Sequence, residues 1–439
     1  MARNPSPRRA GPPPGPGLIV GILVAVVAGC TDDGPAPPVA AFAATDSAGT
    51  RIIASGGPMW ADDEGWSIAP EPDAEFGDAT DPAGALHRVA ALAPLPDGGV
   101  AVANGGSNEV IVFDPEGAVR DRLGREGDGP GEFRWLNGVL ARGDSIVGVD
   151  GSRLRFSVFD PSGALAREFS LDPVPGQPTG IRAVAAGSSE IGVYREVAFT
   201  DKSATGIIRL PGDVAIVDWA GGRSVPLEGD FPGGAIFAIP DGMGTLPFGA
   251  DLHLTGADGR VLVGAGERPE IREYGADGDL VRLIRWGAPT RPVGESLQRE
   301  WKEAQLASME EELSSLPAEA RQGALQKQRD FQERMLFPSS LPAHGRLLAD
   351  PGGNLWVQRY RTGLSDDTPT SWQGKRVGPE APPDATPDRW WVFDPDGRWL
   401  GEVVTPPGLR LEVIVDDALW GVHRDAFGVE TIRRHRLVR

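Results

Sequence analysis

The chain has 439 residues, a formal net charge of −19 and 40% hydrophobic residues, with 60 glycines, 41 prolines and one cysteine. That length and apolar content allow several ordinary domains or one large repeat fold, while the acidic balance excludes broad docking on nucleic acid or anionic lipid. A single cysteine excludes an intrachain disulfide, so the fold must be held by its core and its topology.

In chain order, residues 1–29 read as an export signal. Arg3, Arg8 and Arg9 form a positive start, and residues 18–28 (LIVGILVAVVA) make an apolar run too short for a comfortable transmembrane helix. The run ends in Val27-Ala28-Gly29-Cys30, which resembles the bacterial lipobox. The resemblance implies cleavage before Cys30, its lipidation, and a place on the cell envelope. Thr31 in place of Asp resembles an outer-membrane address. Loss of the three arginines takes the net charge from −19 to −22. Residues 30–49 are small, polar and Pro-rich and read as a flexible tether.

From residue 50 onward one unit repeats. It reads VIVFDPEG at 110–117, FSVFDPSG at 156–163 and WWVFDPDG at 390–397, with looser copies at 214–222 and 271–278. A unit of this kind means a repeat architecture. Each copy sits in a run of four short strands joined by Gly-containing turns, the pattern of a propeller blade. In the Asp-Pro-x-Gly step, Pro fixes φ, Gly accepts positive φ and Asp bonds the turn backbone, so Asp114, Asp160 and Asp394 are turn formers. The units run over 84–124, 133–171, 180–229, 245–287, 340–404 and 409–437. The last has three strands, and its fourth is expected from residues 74–77, with 51–54 and 66–68 as competitors. The expected fold is all-β: a six-bladed β-propeller over 50–439, seven blades being the runner-up, with an α-helical hairpin insertion.

Residues 124–133 (GREGDGPGEF) resemble the inter-blade connection of NHL-repeat propellers. That resemblance implies that the glycines allow a tight crossover, that Phe133 plugs between blades, and that Glu132 bonds exposed backbone. Signal, tether and ring together resemble six-bladed propeller lipoproteins of bacteria, a likeness that implies a fold and says little of function.

Two segments depart from the repeat. Residues 293–337 read as a helical hairpin, with helices over 296–316 and 317–337. Leu297, Trp301, Ala304, Met309 and Leu313 recur at helical steps, followed by Leu325, Phe331 and Met335. Ser314 or Ser315 is the expected cap of the second helix, with Pro317 in its first turn. Residues 361–388 are a long polar loop carrying Trp372 and Lys375. Insertions on a repeat fold often carry binding, so Trp301 and Trp372 are candidate partner-binding residues.

The chain has no P-loop, no His-Glu-x-x-His, no Gly-x-Ser-x-Gly and no cysteine nucleophile. Three histidines near the starts of inner strands, His87, His253 and His344, are candidate ligands for Zn²⁺, an arrangement that resembles NHL-type propeller lyases. They fall 13, 8 and 11 residues before Val100, Val261 and Leu355, so they share no register. Asn104, Asn108, Asn137, Glu190 and Asp251 are candidates for a Ca²⁺ site resembling that of six-bladed lactonases, though their spacing does not set them apart from turn residues. The expectation is therefore no catalytic residue and no resident cofactor: an envelope lipoprotein, anchored to the membrane by its lipid alone, that binds or scaffolds a protein, peptide or glycan and no nucleic acid. The rival expectation is a metal-dependent hydrolase or lyase, with Ca²⁺ or Zn²⁺ in the central channel.

Overall fold

The computed structural model describes residues 42–439, apart from 62–63, 79–82, 174–178, 188–189, 202, 241, 258, 363–386 and 426. Signal, lipobox and most of the tether lie outside the described residues, as does Trp372.

The described chain is a β-propeller built of antiparallel sheets. Each sheet begins at an inner strand and steps outward through hairpins. The first sheet is Val89–Pro94, Val100–Asn104, Glu109–Phe113 and Val119–Leu123; the second is Leu136–Arg142, Ser145–Asp150, Arg155–Phe159 and Leu165–Ser170. The third sheet is Thr179–Ala186, Glu190–Val197, Gly212–Asp218 and Ser224–Pro226. The fourth holds His253–Ala257, Arg260–Gly264, Glu270–Tyr274 and Leu280–Trp286; the fifth holds Leu347–Ala349, Leu355–Gln358, Arg389–Phe393 and Trp399–Val404. The sixth holds Leu409–Val415, Ala418–Arg424 and Glu430–Val438. Each inner strand lies against the inner strand of the next sheet, and the sixth lies against the first.

The core follows from this arrangement. It is divided into layers between successive sheets rather than gathered at one centre. Phe133, Leu136 and Ile146 of the second sheet and its lead-in pack on Ala101, Val112 and Leu123 of the first. Phe76, Trp420 and Ile432 pack on Val100 and Phe113 where the sixth meets the first. Because both faces of a sheet are covered, middle strands such as Val100–Asn104 are buried at every residue and read as unbroken apolar runs.

The expected turn chemistry is present. Asp114 Oδ1 accepts the amides of Glu116 and Ala118, and Asp160 and Asp394 do the same in their own turns. Gly117, Gly163 and Gly397 follow at φ of 90°, 80° and 82°. In the 124–133 connection, Glu132 accepts the Gly129 amide at 2.7 Å, and Phe133 is 0% exposed. A Cβ on Gly148 would stand 2.5 Å from the Phe133 ring, so that glycine makes room for the plug.

Ring closure differs from the expectation in detail. Ala74–Phe76 pairs antiparallel with Glu430–Val438, placing Phe76 opposite Ile432. The competing segment Ser67–Ile68 pairs with the same strand further along, at Val438 and Leu437. The other competitor lies elsewhere: Thr50–Ser55 runs parallel to Leu280–Trp286 at the outer edge of the fourth sheet. Phe42–Ser47 pairs with it as a hairpin, so residues 42–49 are strand and turn rather than tether. Beyond Phe42 this strand is exposed and pairs only through its backbone, so its small, polar composition carried no strand pattern.

The helices are α1 (Glu295–Glu312) and α2 (Ala318–Glu333). Neither Ser314 nor Ser315 caps α2; the cap position is Pro317, which lacks an amide donor and makes no side-chain cap. Trp301 is 5% exposed. Its ring packs edge-on against Phe337 and Phe248, at centroid distances of 5.9 and 6.5 Å. The expectation that Trp301 meets a partner is therefore corrected, since it anchors α1 to the body. A three-stranded sheet of Gly206–Arg209, Ala235–Ile239 and Gly242–Thr245 was not anticipated. Phe237 of that sheet meets Phe331 of α2 at 5.6 Å, so sheet and hairpin form one cap.

Replacing Phe133 by Ala should destabilise the ring by about 3–5 kcal/mol through the cavity it leaves. Urea denaturation checks this, and a loss below about 1 kcal/mol would contradict the plug.

Candidate functional site at the channel mouth

In a sheet that steps outward, the connection between the second and third strands leaves at the same end as the connection to the next sheet. Among the described residues the long segments leave there, at 198–211, 227–252 and 287–346, and the strands that flank residues 359–388, a long loop expected from the sequence that lies mostly outside the described residues, end and begin there. The turns at the opposite end are short, as at 95–99, 143–144 and 416–417. The cap, the histidines and the Gly-rich connection thus share one end of the ring.

At this end the inner strands carry β-bulges. The register skips Ala90 in the first sheet, Asn137 in the second, Arg182 in the third and Glu412 in the sixth. In the fifth, the backbone of Gln358 bonds both Gly345 and Arg346. A bulge re-aims a side chain. Here it re-aims Asn137, Arg182 and Glu412 in the second, third and sixth sheets, while the fourth has no bulge and His253 opens its inner strand opposite Gly264.

These side chains are linked from sheet to sheet. Asn137 Nδ2 donates to the Ile181 carbonyl at 2.8 Å. Arg182 Nε donates to Glu196 Oε1 at 3.0 Å, and its guanidinium lies 5.2 Å over the ring of Trp135. Glu196 Oε2 accepts from Tyr194 Oη at 3.1 Å and from the Gly234 amide at 2.9 Å. Arg346 forms a two-point pair with Glu412, at 3.1 and 2.7 Å. Arg410 also reaches Glu412, at 2.8 Å, and donates to the Val89 carbonyl at 2.7 Å, carrying the network back to the first sheet.

Burial sets the titration of this network. It pulls the Arg182 guanidinium below its usual value, with Glu196 opposing, and pushes Tyr194 and Asp251 up. For Asp251 the Leu252 amide, Arg209 and Arg182 oppose burial. His253 is driven down to about 3, first by desolvation and then by Arg346 and Arg209. His344 is also driven down to about 3, by burial and by His253, against its bond to the Gly345 carbonyl.

The metal candidates do not converge. The rings of His253 and His344 are 6.2 Å apart. His344 spends both nitrogens within the protein: Nδ1 donates to the Gly345 carbonyl at 2.8 Å, and Nε2 accepts the Gly266 amide at 3.2 Å. That leaves one neutral tautomer and no lone pair for a metal. His87 is exposed at the first sheet. Among the described residues no group of three His, Cys, Asp or Glu is placed to hold a metal ion. The Ca²⁺ candidates are scattered. Asn104 accepts the His87 amide, Asn108 accepts that of Leu136, and Glu190 lies at the opposite end of the ring.

Sequence reasoning missed Arg182, Glu196, Arg346, Glu412 and Trp135. One signal was available: a polar residue stands at or one short of the end of the apolar second strand of three sheets, as Asn104, Asp150 and Glu196. These residues are 5%, 0% and 2% exposed, and each accepts a backbone amide at this end.

The chain is thus a β-propeller with a capped, polar channel mouth. No family model and no curated protein matches it. Among solved structures it is similar to a member of the DUF4221 family from Bacteroides vulgatus, at 10% identity over 85% of this chain and 98% of that one, with a TM-score of 0.48. It is also similar to a streptogramin B lyase, at 10% identity over 83% of this chain and 97% of that one, with a TM-score of 0.38. A third is regucalcin, a calcium-binding protein from Agrobacterium tumefaciens, at 11% identity over 84% of this chain and 96% of that one, with a TM-score of 0.37.

Two desolvated histidines, His344 buried and His253 half-buried, make stability depend on pH. In the unfolded chain a histidine takes up its proton near pH 6.5, whereas His253 and His344 do so only near about 3 when folded. The unfolded state therefore binds more protons as pH falls, and stability is lost from about pH 6.5 downward. Each histidine contributes a slope of about 1.4 kcal/mol per pH unit. Urea titrations over pH 5–6 should show a slope lower by that amount in His344→Gln; an unchanged slope would contradict the buried neutral assignment.

Proposed function

We propose that this chain is a six-bladed propeller lipoprotein of the cell envelope, held by a lipid on Cys30, that binds a protein, peptide or glycan at the capped mouth of its ring without transforming it. The observation that carries the reading is that, among the described residues, the long insertions leave the ring at one end, beside a mouth lined by polar side chains. Loops on a rigid scaffold and the mouths of β-barrel-like folds are where ligands are usually held. The six-bladed count is supported by the cyclic order of inner strands and by a core layer between each neighbouring pair of sheets.

Hydrolase or lyase chemistry with Ca²⁺ or Zn²⁺ is the weaker reading. The mouth offers arginines paired to carboxylates rather than a convergent donor set. Metal analysis of the dialysed protein weighs the two, and a stoichiometric ion would favour the enzyme.

The test of binding is a screen of the immobilised full chain against random-peptide and oligosaccharide libraries, followed by hydrogen-exchange footprinting of any hit. Protection is expected in 134–137, 206–212, 251–254 and 293–337. A footprint confined to the turns of the opposite end, or no hit in either library, would overturn the reading. For the anchor, Cys30→Ala should move the protein from the membrane to the soluble fraction; unchanged fractionation would exclude lipidation there.

A further inference from the structure

We infer that the channel mouth is a site for a neutral, polyhydroxylated ligand, a saccharide, seated on Trp135 and hydrogen-bonded by Asn137 and His253. The inference rests on the proposal that this end of the ring is the ligand face, and it narrows the class of ligand.

Charge balance comes first. Arg182 pairs with Glu196 at 3.0 Å and Arg346 with Glu412 at 2.7 Å, while the Arg209 guanidinium donates to the carbonyls of Ala250 and Pro232. An anion would have to displace a carboxylate already bonded to its arginine, and a cation would have to displace the arginine. Breaking one partner out of an enclosed ion pair is costly. These two pairs are already satisfied, which favours a ligand with hydroxyls over one with charge.

Uncommitted groups come second. Asn137 uses its Nδ2, but its Oδ1 is enclosed and has no hydrogen-bond partner. Such an acceptor is costly while it stays unmade, and a ligand hydroxyl seated against it would recover that cost. The His253 ring has no hydrogen bond to any described residue, in contrast to His344, whose two nitrogens are both used. A neutral imidazole offers one donor and one acceptor, and a carboxamide oxygen offers a further acceptor. A sugar hydroxyl is both donor and acceptor and can satisfy either.

The third part is an apolar platform. Trp135 is half-buried, two residues before Asn137, and the guanidinium of Arg182 lies over its ring. Arg182 fixes the ring by a cation–π contact. A fixed indole presents a flat surface to the C–H face of a pyranose, next to the groups that receive its hydroxyls. Platform, acceptor and imidazole come from the second and fourth sheets, with Arg182 of the third between them, so a ligand touching all three spans the mouth.

The experiment uses the full chain in detergent micelles, titrated by calorimetry with neutral oligosaccharides of glucose, xylose and N-acetylglucosamine, and in parallel with uncharged peptides. At least one saccharide series should bind. Trp135→Ala, His253→Ala and Asn137→Ala should each weaken it about tenfold or more, with melting temperatures close to wild type. Should Trp135→Ala lose its fold, the other two variants carry the test. Peptide binding at the mouth without saccharide binding would overturn this inference and leave the proposed function standing. Saccharide binding unaffected by all three variants, with a footprint at the opposite end, would overturn both.

Discussion

The structure depends on one pairing across the whole length of the chain: residues 67–76 lie along the last strand, Glu430–Val438. Without it the sixth sheet would end at an open edge, and the layer between the sixth and first sheets would lose Phe76, which stacks on Trp420 at 5.5 Å. Electrostatics support the same seam. Glu75 meets Arg433 at 3.1 Å and Asp73 meets Arg434 at 2.6 Å, so an acidic N-terminal segment lies on a basic C-terminal strand. These pairs are partly exposed and contribute little energy. Their value is in register, since a slip of one residue would turn Phe76 out of the core.

Closure also explains the mouth. Inner strands that converge on an axis leave their edges facing a narrow channel, and a bulge there turns the extra side chain inward. Arg182, Arg346 and Glu412 occupy such positions, and each is paired before any ligand arrives. The low-dielectric surroundings that keep His253 and His344 neutral make an unpaired charge at this place expensive. If the proposed function holds, a mouth built in this way discriminates by hydrogen-bond geometry more than by charge, even though the chain as a whole is strongly acidic.

What was legible in the sequence was local. The Asp-Pro-x-Gly turns, the Gly-rich connection ending in Phe133 and the helical periodicity of 293–337 each depend on residues within ten positions of one another, and each is realised much as read. What was not legible depends on counting across a fault. A bulge inserts one residue and reverses the alternation, so Arg182 and Glu412 sit where a regular strand would show an ordinary surface residue. His253 and His344 share no register because they precede hairpins of different length, and yet their rings lie 6.2 Å apart. The cap sheet escaped notice because Gly242 and Gly244 break the pattern of its last strand; Gly242 lies where a Cβ would stand 3.1 Å from Phe331. Trp301 was read as an anchor for a partner because helical spacing alone does not distinguish an outward face from one folded back onto the ring.

The most direct measurement of this account is native-state hydrogen exchange along the seam. If the N-terminal segment closes the ring, the amides of Phe76 and Ile432 exchange only through global unfolding, at rates close to those of Val102 and Ile111 in the first sheet. If they exchange orders of magnitude faster, through a local opening that leaves the first sheet protected, the seam is not what holds the ring together and the account fails.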